Sequence, residues 1–319
     1  MILAVCSPSD PHARAVLGAL RRLGREVVPC DLSRFPRRAA LALGYDGSTS
    51  RLRLGLGDRT EVELERVRAV WWYCPPPFAP DPALSPEHRE FAEAQCREAF
   101  GGLAGLLPAA WVNHPRAAEA AGLKTFQLSA AAAAGFEVPR TLVTNDPRAA
   151  RAFVEELGGP GRAVHKSLRG TRRVWRETRL VDRAELRALS RVRYAPVILQ
   201  EYVPGEDLRV TVVGPRIFTA AIDASASAYP LDWRQDLAGS RLAPASLPAG
   251  VAGAVRRLMR RLGLAYGAFD LRRTPEGRCL FLEVNPSGRW LFAEQRAGLP
   301  ISAALADLLG AAATRSSSP

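Results

Sequence analysis

The sequence predicts a mixed α/β protein, and three observations carry that prediction. The opening alternates an apolar run (2–5), a stretch with apolar residues at helical spacing (Ala13, Val16, Leu17, Leu20, Leu23) and a second apolar run at Val27 and Val28, the pattern of a βαβ unit. From residue 197 onward β signals dominate, with runs at 197–203, 208–213, 217–222, 268–272 and 279–284. A length of 319 residues, 47% hydrophobic and 24% charged, is ordinary for a folded chain with a sizeable core.

The opening unit is Rossmann-like but carries Ser7-Pro8-Ser9-Asp10 where a dinucleotide-binding turn needs glycines, so no dinucleotide is assigned there. Residues 51–64 alternate and break at Gly57 and Asp58, which predicts a hairpin; 67–72 reads as a strand ended by Pro75-Pro76-Pro77. A helix is expected over 86–106, with Phe91 and Phe100 on its buried side. A strand at 111–113 leads through Pro115 into an Ala-rich helix carrying Lys124 and Gln127. A strand at 138–144 precedes a helix over 147–157, where Asp146 is a good N-cap and Pro147 suits the first helical position. The strand 163–166 then enters a loop, Ser167-Leu168-Arg169-Gly170-Thr171, expected to be mobile. Helices are expected near 251–262 and 301–309, and 315–319 reads as a frayed tail.

Composition excludes several classes. No apolar stretch approaches the roughly 20 residues that span a bilayer, and Met1 to Cys6 lacks the basic start and cleavage site of a signal peptide, so a cytoplasmic protein is expected. Cys6, Cys30, Cys74, Cys96 and Cys279 form an odd set without a C-x-x-C pair and are read as reduced core residues. His12, His88, His114 and His165 are scattered, which leaves zinc little support, so any metal should be oxygen-bound. The formal net charge of +12 comes mostly from 162–193, where eleven basic residues face three acids. Without regularly interleaved aromatics this is no nucleic-acid platform, but it would attract nucleotide phosphates or an acidic peptide. Of 44 basic residues only Lys124 and Lys166 are lysines. A compact ammonium on phosphate is poorly replaced by a planar guanidinium, which makes these the first candidates for phosphate contacts.

The chemistry concentrates in a second hairpin. Two strands, 266–272 and 278–285, flank Thr274-Pro275-Glu276-Gly277, a turn with Pro at its second position and Gly at its fourth. A regular register pairs Asp270 with Phe281 and places Asp270, Glu283 and Asn285 on one face. Two carboxylates and an amide oxygen suit Mg²⁺ bridging nucleotide phosphates, and carboxylates embedded among Phe269, Leu271, Phe281 and Leu282 would be costly without such a partner. Upstream, the strand ending Gln200-Glu201-Tyr202-Val203 could take an adenine, Glu201 accepting from the exocyclic amine and Val203 offering main-chain groups. Asp207 and Arg209 alternate to one side of the next strand, where an acceptor for ribose and a cation for the terminal phosphate are natural roles; Glu206 competes with Asp207 for the ribose, and a mutual surface ion pair is the alternative.

These residues carry a resemblance. Asp270, Glu283 and Asn285 in D-L-R-R-T-P-E-G-R-C-L-F-L-E-V-N-P-S-G, with Lys124, Lys166 and Q-E-Y-V, resemble the ATP-grasp superfamily. The segments W-V-N-H-P, K-T-F-Q-L, V-P-R-T-L-V-T-N-D-P, D-L-R-V-T-V-V-G, D-W-R and E-V-N-P-S-G-R-W resemble, more narrowly, the ATP-grasp ribosomal peptide maturases, the microviridin and graspetide ligases. The resemblance implies an ATP-grasp fold: an N-terminal Rossmann-like pre-ATP-grasp domain at 1–112, a central lid subdomain at 113–203, a C-terminal antiparallel-sheet subdomain with the Mg site at 204–312, and a disordered tail at 313–319. It implies Lys124 and Lys166 on the ATP phosphates, Glu201 and Val203, with Tyr202 between them, on adenine, Arg209 on the γ-phosphate, and Asp270, Glu283 and Asn285 on Mg²⁺. Lys124, Lys166 and Arg209 are thereby the catalytic candidates.

The implied activity is ATP-dependent ester or amide formation inside a precursor peptide, through acyl phosphates of Asp or Glu attacked by Ser, Thr or Lys. The implied partner is an acidic peptide with a Thr- and Asp/Glu-rich core, which gives the basic segment a purpose; homodimerisation is a family expectation. The alternative is an ATP-grasp ligase for free amino acids or a protein terminus, similar to glutathione synthetase or glutamate ligases. Asp232 and Arg234 are further candidates for contacting peptide or acyl phosphate. Two departures stand out: Arg289 where Gln is expected before the Trp, and His165 where Tyr commonly precedes the lysine.

Overall fold

The first apolar run becomes an inner strand of a parallel sheet. The computed structural model describes every residue except 48, 58–60, 171–177, 226, 228–230, 232 and 315–319. Of the sequence expectations, Asp232, Thr171, part of the basic segment and 315–319 of the tail lie outside the described residues, while 313 and 314, expected in the disordered tail, are helical. In chain order the N-terminal part holds β1 (Ile2–Val5), α1 (Pro11–Arg22), β2 (Val27–Cys30), β3 (Ala40–Asp46), β4 (Thr49–Gly55), β5 (Glu61–Glu63), β6 (Ala69–Trp72), α2 (Pro86–Leu106) and β7 (Ala110–Val112). The parallel sheet has the order β2-β1-β6-β7, and β3-β4-β5 form a separate antiparallel sheet. The predicted hairpin is the β4–β5 pair, to which β3 adds a strand that sequence reading missed.

Helix α1 starts where Asp10 accepts the backbone N–H groups of His12 and Ala13, which leaves its apolar stripe (Ala13, Val16, Leu17, Leu20) facing the sheet. Helix α2 has the predicted limits, set by the Ser85 cap and Pro86, but only Phe100 of the predicted pair is buried; Phe91 is 64% exposed. Nine residues of α-helix make about two and a half turns, so the two rings point to opposite sides. Cys74 is likewise exposed rather than core, on a loop beyond β6 with φ of 39°.

The middle of the chain holds α3 (Pro115–Ala121), α4 (Lys124–Ala133), β8 (Thr141–Thr144), α5 (Pro147–Glu156), β9 (Ala163–Lys166), β10 (Arg179–Leu180), α6 (Arg183–Ala188) and β11 (Val197–Glu201). The expected single Ala-rich helix is two, broken at Gly122 and Leu123, and the break makes Lys124 the first residue of a new helix. The antiparallel sheet β10-β9-β11-β8 has its own small core of Ala150, Val154, Ala163, Val181, Leu189, Val192 and Leu199.

The C-terminal part holds β12 (Glu206–Val213), β13 (Arg216–Asp223), β14 (Arg241–Pro244), α7 (Ala249–Leu262), β15 (Tyr266–Arg273), β16 (Cys279–Asn285), α8 (Leu291–Ala297) and α9 (Ile301–Thr314). Its strands form an antiparallel sheet in the order β14-β13-β12-β15-β16. Helices α4 and α7 cover one face, packing Ala130, Val255, Leu258 and Met259 over Val210, Phe269, Leu271 and Phe281. Helix α9 returns to the N-terminal sheet, where Ile301, Leu305 and Leu309 join the core of β1, α1 and β6.

The β15–β16 register corrects the sequence expectation. Asp270 stands opposite Glu283, not Phe281; Phe281 pairs with Leu271, and the register shifts between Asp270 and Leu271. The reason lies on the other face of the sheet. Phe281 and Val284 both belong to the core, yet residues three apart cannot share a face of a regular strand. Burying each is worth about 1.5–3 kcal/mol. A bulge that leaves Leu282 over satisfies both, and sets Glu283 directly across from Asp270.

Candidate active site

Asp270 and Glu283 line a cleft of about 930 Å³ between the β10-β9-β11-β8 sheet and the C-terminal sheet. Its lining also includes Lys124, Lys166, Gln200, Glu201, Tyr202, Val203, Asp207, Arg234, Arg272 and Asn285. From the start of α4, Lys124 Nζ donates to Glu283 Oε2 at 2.7 Å, while Arg234 Nη1 reaches Oε1 at 3.3 Å. Burial pushes the Glu283 carboxyl up, but Lys124 and Arg234 outweigh it and hold the group at about 2. Burial also pushes Asp270 up; Arg209 pulls it down and Glu283 pushes it up again, with a net rise.

Lys166, at the end of β9, donates to Gln200 Oε1 at 2.8 Å, and Gln200 is fixed by Nε2 donating to Thr141 Oγ1 at 3.0 Å. Burial lowers Lys166 to about 8, with Lys124, Arg234 and Arg272 adding to the effect against Glu283. A half-buried ammonium lining the cleft, held among the described residues by a single neutral acceptor, is a cation poised for an anion.

On the far side, Glu201 Oε2 accepts the Arg140 amide at 3.2 Å and Tyr202 N–H donates to the Arg162 carbonyl at 2.9 Å. Val203 forms no backbone hydrogen bond among the described residues, which leaves a free edge at the cleft. Asp207 pairs with Arg272 at 3.3 Å, and Glu206 is held by Arg273, so Asp207 and not Glu206 faces the cleft. Asp207 and Arg209 do share a face, but each pairs with the strand beside it and not with the other: they stand across from Arg272 and Asp270. The Arg209 side chain is 7% exposed and lies behind the cleft, with Nη1 donating to Asp270 Oδ1 at 2.8 Å and Nη2 to the Arg289 carbonyl at 2.9 Å.

The fold and cleft match solved structures along nearly the whole chain. The macrocyclase MdnC of Microcystis aeruginosa MRC, solved with the precursor peptide MdnA, is 28% identical, covers 97% of this chain and 99% of its own, and superposes with a TM-score of 0.86. The macrocyclase MdnB of the same organism gives 29% identity, 97% and 98% coverage and a TM-score of 0.80. The ATP-grasp ligase PsnB, solved with a phosphomimetic variant of its minimal precursor, Mg and ADP, gives 26%, 98% and 98%, and 0.78. Along nearly its whole length the chain is similar to these ATP-grasp peptide macrocyclases. No family model matches it.

The ATP-grasp fold is the one the sequence motifs implied, and no helix among the described residues is long and apolar enough to cross a membrane. Three residues that brace the site had no such role assigned from the sequence. Asn113, 2% exposed, donates through Nδ2 to the carbonyls of Tyr266 and Pro286 and accepts through Oδ1 from the amides of Ala265 and Tyr266, joining the end of β7 to both ends of the hairpin. Gln127 grips both backbone atoms of Val284, Nε2 donating at 2.8 Å and Oε1 accepting at 3.0 Å, so α4 and the Glu283 strand move together. His12 Nδ1 faces the amides of Trp290 and Leu291 at 3.3 and 3.4 Å. Asn113 and Gln127 lie inside the quoted motifs W-V-N-H-P and K-T-F-Q-L, the one signal that could have found them.

Proposed function

We propose that this macrocyclase uses MgATP to activate Asp or Glu side chains of an acidic precursor peptide and joins them to Ser, Thr or Lys side chains of the same peptide. The observation that carries the reading is the Asp270–Glu283 pair, directly opposed across β15 and β16 and surrounded by Lys124, Lys166 and Arg234. The donor chemistry fits Mg²⁺: two carboxylates whose mutual repulsion a divalent cation would relieve, with the Asn285 amide beside them. Asp270, Glu283 and Asn285 would hold it, and it would neutralise phosphate charge as that charge shifts toward the leaving group.

Lys124 and Lys166 bind the nucleotide phosphates, Lys124 exchanging its bond to Glu283 for one to phosphate. Adenine lies along Glu201, Tyr202 and the free edge at Val203, and Asp207 takes the ribose. Arg209, the candidate for the terminal phosphate, acts from behind by holding Asp270 in place. The peptide carboxylate attacks the γ-phosphorus, ADP leaves, and a hydroxyl or amine then attacks the acyl phosphate and expels phosphate. Each bond removes one water from the peptide. The protein supplies positioning and charge and needs no nucleophile of its own. The basic segment 162–193, whose Arg169 lines the cleft, attracts the acidic core peptide.

The test is intact mass spectrometry of a candidate precursor, a short peptide with a Thr- and Asp/Glu-rich core sought among the neighbouring reading frames, incubated with and without MgATP. ATP-dependent loss of one or more waters with matching ADP release is expected. No mass change, with ADP release on adding a free amino acid, would assign the chain to the amino-acid ligases.

A further inference from the structure

The loop after β16 is fixed atom by atom. Asn113 holds the Pro286 carbonyl, the Tyr266 hydroxyl donates to the Gly288 carbonyl at 2.6 Å, Arg209 holds the Arg289 carbonyl, and the Trp290 amide faces His12. Gly288 has no room for a Cβ, which would overlap Ala268 and Arg209. On this rigid backbone the Arg289 side chain is exposed and forms no hydrogen bond or ion pair among the described residues. That contrasts with Arg209, Arg234 and Arg272 nearby, each engaged by a carboxylate.

It does not line the cleft itself, but its neighbours place it just beyond the end that faces the carboxyl edge of the parallel sheet. Ser287 and Trp72 line the cleft, and the Cys74 thiol donates to the Ser287 carbonyl at 3.6 Å. The Arg289 guanidinium is close enough to His12, Tyr73 and Cys74 to oppose charge on the first and favour it on the others. Open α/β sheets bind ligands at this edge, where the chain order reverses, here between β1 and β6.

We propose that Arg289 is the carboxylate-binding residue of the acyl-donor subsite, a positioned cation that receives the side chain to be activated and presents it to the Asp270–Glu283 end of the cleft. The inference deepens the peptide-ligase reading and rests on it for the substrate. A planar guanidinium on an immobile backbone engages a carboxylate through paired N–H donors, which selects an acid over its amide. Charge-assisted bonds of this kind are worth about 1.5–3 kcal/mol, or roughly tenfold to a hundredfold in affinity.

The test uses the full chain and two dye-labelled synthetic peptides, threonine-rich with a single glutamate and the same peptide with glutamine there, at about 0.15 M salt so that distant charges are screened. Fluorescence anisotropy gives the affinity of each for the wild type, Arg289→Gln and Arg289→Lys. The wild type is expected to prefer the acid by about tenfold or more, Arg289→Gln to lose that preference, and Arg289→Lys to keep part of it. ATP affinity should stay within about twofold in all three, since the side chain makes no contact in the nucleotide half of the cleft. An unchanged acid preference in Arg289→Gln, or none in the wild type, overturns the assignment, as does an equal loss of ATP affinity. Binding needs no turnover, so the result stands apart from the mass-spectrometric test: failure to lose water would sink the macrocyclisation reading and leave the carboxylate site to be judged on the binding ratio alone.

Discussion

Arg209 and Asp270 form an ion pair at 2.8 Å with 7% and 12% of their side chains exposed, and the same guanidinium carries the carbonyl of Arg289. The pair ties β15 to the loop that ends the cleft. Breaking a buried pair from one side leaves an uncompensated charge and typically costs about 3–5 kcal/mol. Arg209→Ala is therefore expected to lower the thermal midpoint by several degrees, read by calorimetry, and Arg209→Lys, which keeps the charge and loses the fork, by less. Equal midpoints in all three would show that the pair contributes nothing.

Glu283 serves a different purpose. It lies between Lys124 and Arg234 and is held ionised, so Glu283→Gln should keep the shape of the cleft and lose the charge. Turnover is expected to fall by about a hundredfold or more, the scale of losing one electrostatic stabiliser, while affinity for the precursor peptide stays within about twofold. Activity close to wild type would remove Glu283 from the metal set.

Lys166 sets a pH dependence whose sign follows from burial. Its folded value of about 8 lies below the ordinary lysine value of 10.5, so between these the unfolded chain binds the extra proton and stability rises with pH. Below pH 8 the full cost of burying the charge is present. Lys166→Met is expected to have the higher midpoint near neutral pH, with the gap closing as pH rises toward 10.5, while its KM for ATP rises by about tenfold or more. A constant gap across that range would show that the lysine is not desolvated.

Asn113 makes four hydrogen bonds with buried or partly buried backbone, and no other residue type offers two donors and an acceptor in that shape. Asn113→Asp sets a carboxylate against the carbonyls of Tyr266 and Pro286. A loss of about 2–4 kcal/mol is expected by denaturant titration, because the cost is that of unsatisfied buried groups as well as of the lost bonds.

Local chemistry was legible in the sequence wherever a cap or turn residue announced it. Ser85-Pro86 and Asp146-Pro147 marked helix starts, and Thr274 to Gly277 marked the hairpin whose Gly277 amide donates to the Thr274 carbonyl. The fold class followed from such signals together with the motifs. The register of that hairpin did not, because a bulge answers to packing on the opposite face: Phe281 and Val284 at odd spacing were the visible clue, read only through the carboxylates. The site's braces were hidden for a plainer reason. Asn113 reaches across 153 residues, Gln127 across 157 and His12 across 278, and no periodicity within a window reports a contact at that separation. Arg209 shows the same limit from the other side, since its place in the alternation was readable but its partners were not.

The lid's separate core has a thermodynamic consequence. Its seven buried side chains among the described residues all come from 150–199, five of them alanine or valine beside Leu189 and Leu199, so this core is small and draws on no other part of the chain. The C-terminal sheet, by contrast, is stitched to the N-terminal sheet by Asn113, His12 and helix α9. The chain is therefore built as two cooperative units of unequal strength, and amide exchange should report them as two: protons of β9 and β11 leaving through an opening of the lid alone, those of β1, β12 and β15 only when the whole molecule unfolds. A nucleotide held between lid and sheet would merge the two rates into one.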